Sequence, residues 1–277
     1  MLSVLSVLPS WFEKRYNGTV MSEYSKYTVV LTGASRGLGS AMAELLIDGR
    51  VGKLFCLSRT CNQKIVDVAG STGVPLEWVN IDLSDSERLT AFAEELFQSI
   101  LEDGPEAVAL INNAAVLEPI ARVGSASADE LLVSQRVNVI APLLLVNAFL
   151  SVFNGQPYPR VIVNVSSGLG ERPMVGVGTY SISKAAVNML TKCVALEQSN
   201  RSNAVYTVAA SPGTVDTDMQ HALRHASPAT LPDRDIFVCL YDEKKLHTPK
   251  SSAEAILSLL RRNDIASGSV LSLSQLR

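Results

Sequence analysis

The chain has 277 residues, 47% of them hydrophobic and 18% charged, with a formal net charge of −3. This is enough apolar material for one large α/β domain or two small ones, and it excludes a chain too polar to fold. The slightly acidic balance and the lack of any basic run argue against a nucleic-acid-binding surface.

Residues 1–26 stand apart. Leu2, Val4, Leu5, Val7 and Leu8 form a short apolar stretch ended by Pro9, with Trp11 and Phe12 beyond it. The stretch is too short to span a bilayer and lacks the basic flank and small-residue cleavage site of a signal peptide. We expect a poorly ordered extension, with Met21 as an alternative start. Asn17-Gly18-Thr19 matches a glycosylation sequon, which has meaning only in a secreted chain.

From Tyr27 onward, short β-branched apolar runs alternate with longer amphipathic stretches. The runs predict strands at Thr28–Thr32, Lys53–Ser58, Leu76–Asn80, Ala107–Asn112, Arg160–Ser166, Ala204–Ala210 and Ser269–Leu273. Several are apolar almost throughout, as expected for parallel strands covered on both faces. Helices are expected over Leu38–Asp48, Glu87–Leu101, Ala128–Phe153, Thr179–Gln198 and Ala253–Arg262. Asp85, three residues before Arg88, suits an N-cap. Gly155-Gln156-Pro157-Tyr158-Pro159 marks a stop between a helix and the next strand. The alternation predicts a doubly wound α/β fold, a seven-stranded, mostly parallel sheet in a single domain over 27–277.

Residues 220–250 break the rhythm, with Pro228, Pro232, Pro249 and mixed charges. Inserts beyond the carboxyl ends of strands cover the ligand crevice in this architecture, so we expect a substrate-covering segment. His221 and His225 have a spacing that can serve a metal, but no HExxH pattern accompanies them, and no metal is expected. The four cysteines show no CxxC spacing, and Cys56 and Cys193 are expected as buried thiols. That usage fits a reducing, cytoplasmic compartment.

Two constellations carry chemistry. Thr32-Gly33-Ala34-Ser35-Arg36-Gly37-Leu38-Gly39 follows the first strand and opens the first helix, where glycines let backbone N–H groups approach a pyrophosphate. Tyr180 and Lys184 lie four residues apart, on one face of a helix, with Ser167 thirteen residues upstream of the tyrosine. A cation beside a phenol lowers its pKa, so that the phenol exchanges protons nearer neutrality. A serine hydroxyl nearby can hold the oxygen of a reacting carbonyl.

With these motifs in this order, the chain from about Lys26 resembles the short-chain dehydrogenase/reductase family. The resemblance implies that Gly33, Ser35, Arg36, Gly37, Leu38 and Gly39 form the dinucleotide turn, and that Asp82 holds the adenine. It further implies a cofactor-side role for Asn112 and Ala114 in Asn112-Asn113-Ala114-Ala115, where Ala115 replaces a family glycine. Pro212, Gly213, Val215 and Thr217 match the segment that closes over the nicotinamide. The implied catalytic set is Asn138, Ser167, Tyr180 and Lys184. In it Tyr180 acts as acid, Lys184 as its tuning cation and ribose ligand, Ser167 as carbonyl holder, and Asn138 as support for a proton-relaying water chain.

The second strand ends in Leu57-Ser58-Arg59-Thr60, without the carboxylate that NAD-preferring relatives place there. Arg59 and Arg36 suit a 2′-phosphate, so NADP(H) is the expected cofactor. The chain is similar to the benzil-reductase and sepiapterin-reductase-like branch. Its last ten residues carry no acid to anchor a pterin, which favours an apolar dicarbonyl or aromatic ketone as the small-molecule carbonyl substrate. An oxidative secondary-alcohol dehydrogenase and a non-catalytic NADP-binding sensor are the alternatives. The two long helices resemble the family's dimer-forming pair, which implies a homodimer or homotetramer.

Overall fold

The computed structural model describes residues 24–262 and 264–276; the expectation for the N-terminal extension lies almost wholly outside the described residues. Seven parallel strands lie in the order β3-β2-β1-β4-β5-β6-β7. They are β1 (Tyr27–Thr32), β2 (Lys53–Ser58), β3 (Leu76–Asn80), β4 (Ala107–Asn112), β5 (Arg160–Val165), β6 (Tyr206–Ala210) and β7 (Val270–Leu271). The helices are α1 (Gly37–Asp48), α2 (Gln63–Thr72), α3 (Ser86–Glu102), α4 (Ala128–Gln135), α5 (Ala141–Phe153), α6 (Gly178–Gln198), α7 (Asp218–His225), α8 (Arg234–Asp242), α9 (Pro249–Ser258) and α10 (Leu273–Leu276).

The apolar strands feed two cores, one on each face. Successive side chains in a strand point to opposite faces. Val29 and Leu31 therefore join α1, α9 and α10 residues such as Leu46, Ile256 and Leu273. Val30 joins α3 and α5 residues such as Leu89, Phe97 and Phe149 on the other face. There Phe97, Phe149 and Phe153 pack as a ring cluster with centroids 4.9–5.7 Å apart. Such pairs contribute about 0.5–1.5 kcal/mol beyond their burial.

Three helical expectations change. α2 goes unseen in the sequence because Gln63–Thr72 is short and buries only Ile65 and Ala69. The helix before β7 begins at Pro249 rather than Ala253, because Thr248 caps it by accepting from the Ser251 amide and proline suits its first turn. The expected single helix over 128–153 is broken by a π turn at Arg136–Ile140. Within that turn Asn138 Oδ1 accepts from the Val116 amide and Nδ2 donates to the Val116 carbonyl, both at 2.8 Å. The 128–153 stretch is long and apolar enough to cross a membrane by composition, yet Leu145, Phe149 and Phe153 are buried against the sheet.

The expected N-cap holds: Asp85 accepts from the Arg88 amide at 3.1 Å. Cys56 is buried, as expected, and its thiol is pushed up to about 12 by burial. Cys193 is not buried. It lies on the outer face of α6, whose inner face carries Val187, Thr191 and Val194.

β1 lies between β2 and β4, so the connections diverge to opposite sides at this pair. That divergence opens a crevice beyond the carboxyl ends of the strands.

Candidate active site

The glycine turn is built on the end of β1 and clamped from the end of β4. The Thr32 hydroxyl accepts from the amides of Asn113 and Ala114, each at 3.0 Å. Asn113 Nδ2 donates to the carbonyls of Thr32 and Gly33 at 3.0 and 3.2 Å. A Cβ on Gly39 would sit 2.0 Å from the Gly33 carbonyl oxygen, so only glycine lets α1 start this close to the turn. α1 has no side-chain cap and no acid in its first turn. Its first amides therefore face the crevice without an intrahelical acceptor, which is an anion site in waiting.

The catalytic-type residues converge from β5 and α6. Ser167 follows β5 directly and its Oγ accepts from the Leu169 amide at 3.2 Å. The 3-10 turn Gly168–Gly170 lies flat on α6: a Cβ on Gly170 would approach the Lys184 carbonyl carbon to 2.8 Å. This contact sets Ser167 beside Tyr180. Lys184 Nζ donates to the Val165 carbonyl at 2.8 Å and lies 5.5 Å from the centroid of the Tyr180 ring.

Burial dominates the electrostatics. Tyr180 packs with Leu117, Leu223 and Phe237, and this desolvation pushes its phenol up to about 12, with the Ser167 hydrogen bond opposing. Ionising it here costs roughly 3 kcal/mol more than in water. Burial pushes the Lys184 ammonium down to about 8. In the protein alone burial holds the phenol high, and the opposing hydrogen bond comes from Ser167.

One cavity of about 1610 Å³ joins these groups. It exceeds the roughly 300–1,000 Å³ usual for one small ligand, so it has room for a dinucleotide and a substrate. Gly33, Ser35, Arg36, Gly37, Leu38, Gly39, Arg59, Asp82, Ala114, Ser167, Tyr180, Lys184, Pro212, Gly213, Val215 and Thr217 all line it. Two expected residues do not. Asn112 is buried behind it, donating to Asn164 Oδ1 at 2.9 Å, and its neighbour Asn113 lines the cavity instead. Asn138 is also buried, its amide taken up by Val116.

Ala115 lines the cavity without a left-handed backbone, so its methyl introduces no strain there. Asp82 is held low chiefly by the Ser84 amide, which hydrogen-bonds its carboxylate.

Residues 220–250 contribute Gln220, Leu223, Ile236, Phe237 and Leu240 to the same cavity. α7 and α8 are tied by Arg224, which bonds Gln220, pairs with Asp216 at 3.7 Å and stacks 3.9 Å over Tyr241. His221 and His225 stack on each other with centroids 3.9 Å apart. Among the described residues there is no cluster of three metal-ligating side chains. Sequence reasoning passed over Asn113, which sits inside the Asn112-Asn113-Ala114-Ala115 motif, and over Asp218 and Arg172, which belong to no motif and enter the cavity only through the fold.

The fold and this cleft define an α/β protein of the dinucleotide-binding class. The sequence model described as short chain dehydrogenase matches residues 27–228. A benzil reductase ((S)-benzoin forming) from Bacillus cereus is 32% identical over 247 residues, covering 89% of this chain and 99% of that protein. Sepiapterin reductase from Bos taurus is 30% identical over 253 residues, covering 86% and 91%. The crystal structure of NADPH-bound carbonyl reductase from chicken fatty liver superposes with a TM-score of 0.70 at 25% identity, covering 91% and 98%. The chain belongs to the short-chain dehydrogenase family. It is an oxidoreductase acting on CH–OH and C=O groups.

Proposed function

We propose that the protein reduces a ketone or dicarbonyl to a hydroxy compound with NADPH as the hydride source. The convergence of Ser167, Tyr180 and Lys184 in the cavity opened by the glycine turn carries this reading. When bound, the nicotinamide supplies the hydride. The uncapped amides of α1 bind the pyrophosphate, Lys184 binds the nicotinamide ribose, and the Pro212–Thr217 segment covers the ring. Asp82 takes the adenine, while Arg59 and Arg36 take the 2′-phosphate. Ser167 donates to the carbonyl oxygen and Tyr180 gives that oxygen its proton. Asn138 holds Val116 and the π turn, and its Nδ2 also reaches the Ser183 hydroxyl at 3.5 Å.

The relatives named benzil reductase support the reductive direction. At neutral pH a tyrosine pushed up to about 12 is protonated and ready to donate. The full Ser167, Tyr180 and Lys184 set also argues against a non-catalytic sensor. The relatives named benzil reductase, and the apolar wall of Leu117, Leu223 and Phe237, support a dicarbonyl or aromatic ketone.

α5 and α6 present Leu143 and Met189, exposed at 45% and 57%, along one groove with Cys193. That face supports a homodimer or homotetramer. Free thiols at Cys61, Cys193 and Cys239 on the surface fit a reducing cytoplasm.

The reading is tested by following NADPH and NADH oxidation against a panel of 1,2-diketones, quinones and pterins. It predicts turnover of the diketones and a higher kcat/KM with NADPH. No carbonyl turned over, or a preference for NADH, contradicts it.

A further inference from the structure

We propose that Arg172 selects carbonyl substrates that carry a carboxylate on an otherwise apolar body. The inference rests on the carbonyl-reductase reading and narrows its substrate class. Arg172 follows the 3-10 turn beside Ser167, and its amide donates to the Gly168 carbonyl at 3.0 Å. Its side chain folds back over that glycine: a Cβ on Gly168 would lie 3.7 Å from a terminal guanidinium nitrogen. A fork of charged donors thus stands on the cavity wall one residue from the serine that receives the substrate oxygen.

Two glutamines that line the cavity are already engaged. Gln220 donates to the Phe237 carbonyl at 3.0 Å and accepts from Arg224. Gln275 Oε1 accepts from the amide and hydroxyl of Ser272 at 2.8 and 2.9 Å. Arg36, at the far end, pairs with Asp218. Among the described residues, no side-chain hydrogen bond or ion pair engages the Arg172 guanidinium.

The remaining wall is apolar, from Leu117, Leu169, Met174, Leu223 and Phe237. An apolar body seats against that wall with its carbonyl at Ser167 and Tyr180. A carboxylate a few bonds away then meets the guanidinium, whose planar fork matches it with two hydrogen bonds. Glu171 lines the same rim, but no contact places it over Gly168 as Arg172 is placed. A neutral group at that position gains only ordinary hydrogen bonds, so charge is the discriminating feature.

A matched pair, 3-benzoylpropanoate and its methyl ester, isolates the charge. Arg172 is exposed, so its replacement leaves the core intact. We expect the acid-to-ester ratio of kcat/KM to fall about ten-fold in Arg172→Gln, the lower range for a charge-assisted contact, and to recover in part in Arg172→Lys. The Kd of the acid for the enzyme–NADPH complex rises by a similar factor in Arg172→Gln, and in the wild type it weakens as salt is added. An unchanged ratio, or an acid Kd equal in wild type and Arg172→Gln, overturns the proposal. Loss of turnover on both compounds and on an uncharged 1,2-diketone would instead sink the parent reading, with the Kd comparison still deciding the role of Arg172.

Discussion

Arg36 and Asp218 form an ion pair across the mouth of the cleft, Nη1 to Oδ2 at 3.0 Å, linking the start of α1 to the start of α7. Both side chains are largely exposed, at 72% and 76%. A surface pair of this kind contributes about 0–1 kcal/mol. In the proposed function Arg36 leaves Asp218 for a 2′-phosphate. Asp218→Asn therefore tightens NADPH binding by up to about five-fold and leaves NADH binding as it was. Fluorescence titration with both dinucleotides reads this directly, and equal effects on the two would argue against Arg36 as a phosphate ligand.

Lys184 gives the site its alkaline limit. Burial holds its ammonium near 8. kcat/KM for NADPH reports ionisations of the free enzyme, so it should fall above about pH 8 as Lys184 loses its charge. Lys184→Arg moves that limb upward. Stability moves the other way: between about 8 and the unfolded value of 10.5 the unfolded chain binds more protons, so Lys184 adds stability as pH rises through that window. Tyr180, pushed up to about 12 from 10.0, subtracts stability across that higher range. Denaturant titrations at stepped pH on wild type and Lys184→Met separate the two.

Asn138 works as a clamp. Asn138→Ala orphans the part-buried Val116 amide and carbonyl, at a cost of about 1–3 kcal/mol for each group that stays dry. Urea denaturation should show the loss, with kcat falling because Val116 adjoins the cavity-lining Ala115. Unchanged stability would mean that the π turn holds without this side chain.

The outer face of α5 and α6 sets assembly in our account. Met189→Glu places a charge among Leu143, Val146 and Leu190 on that groove and should shift the mass measured by light scattering to that of a monomer. A wild-type chain that is already monomeric would contradict the assignment of this face.

Much of this molecule was legible beforehand, for physical reasons. Strands such as β4 and β5 are buried along their whole length and so read as mostly apolar runs, interrupted only by Asn112, Arg160 and Asn164. The glycine turn and the Tyr180–Lys184 pair were legible because backbone approach and helical spacing restrict residue choice. α2 was not, since its stability comes from packing two residues rather than from a pattern of its own. The π turn was hidden because it depends on a contact between Asn138 and Val116, 22 positions apart. Asn112 was assigned to the cleft by resemblance, but its side chain turns inward to Asn164. Cys193 sits in a helical pattern whose inner face carries its neighbour Val194 instead.

The central claim is that Tyr180 donates the proton to a carbonyl reduced at the expense of NADPH. Single-turnover oxidation of bound NADPH by an aromatic 1,2-diketone, compared in wild type and Tyr180→Phe, tests it most directly. Removing a positioned general acid costs typically about 10²–10⁴-fold, so the variant's rate should drop by at least that lower figure while its NADPH Kd stays within a few-fold of wild type. A Tyr180→Phe enzyme that oxidises NADPH at the wild-type rate would contradict the account.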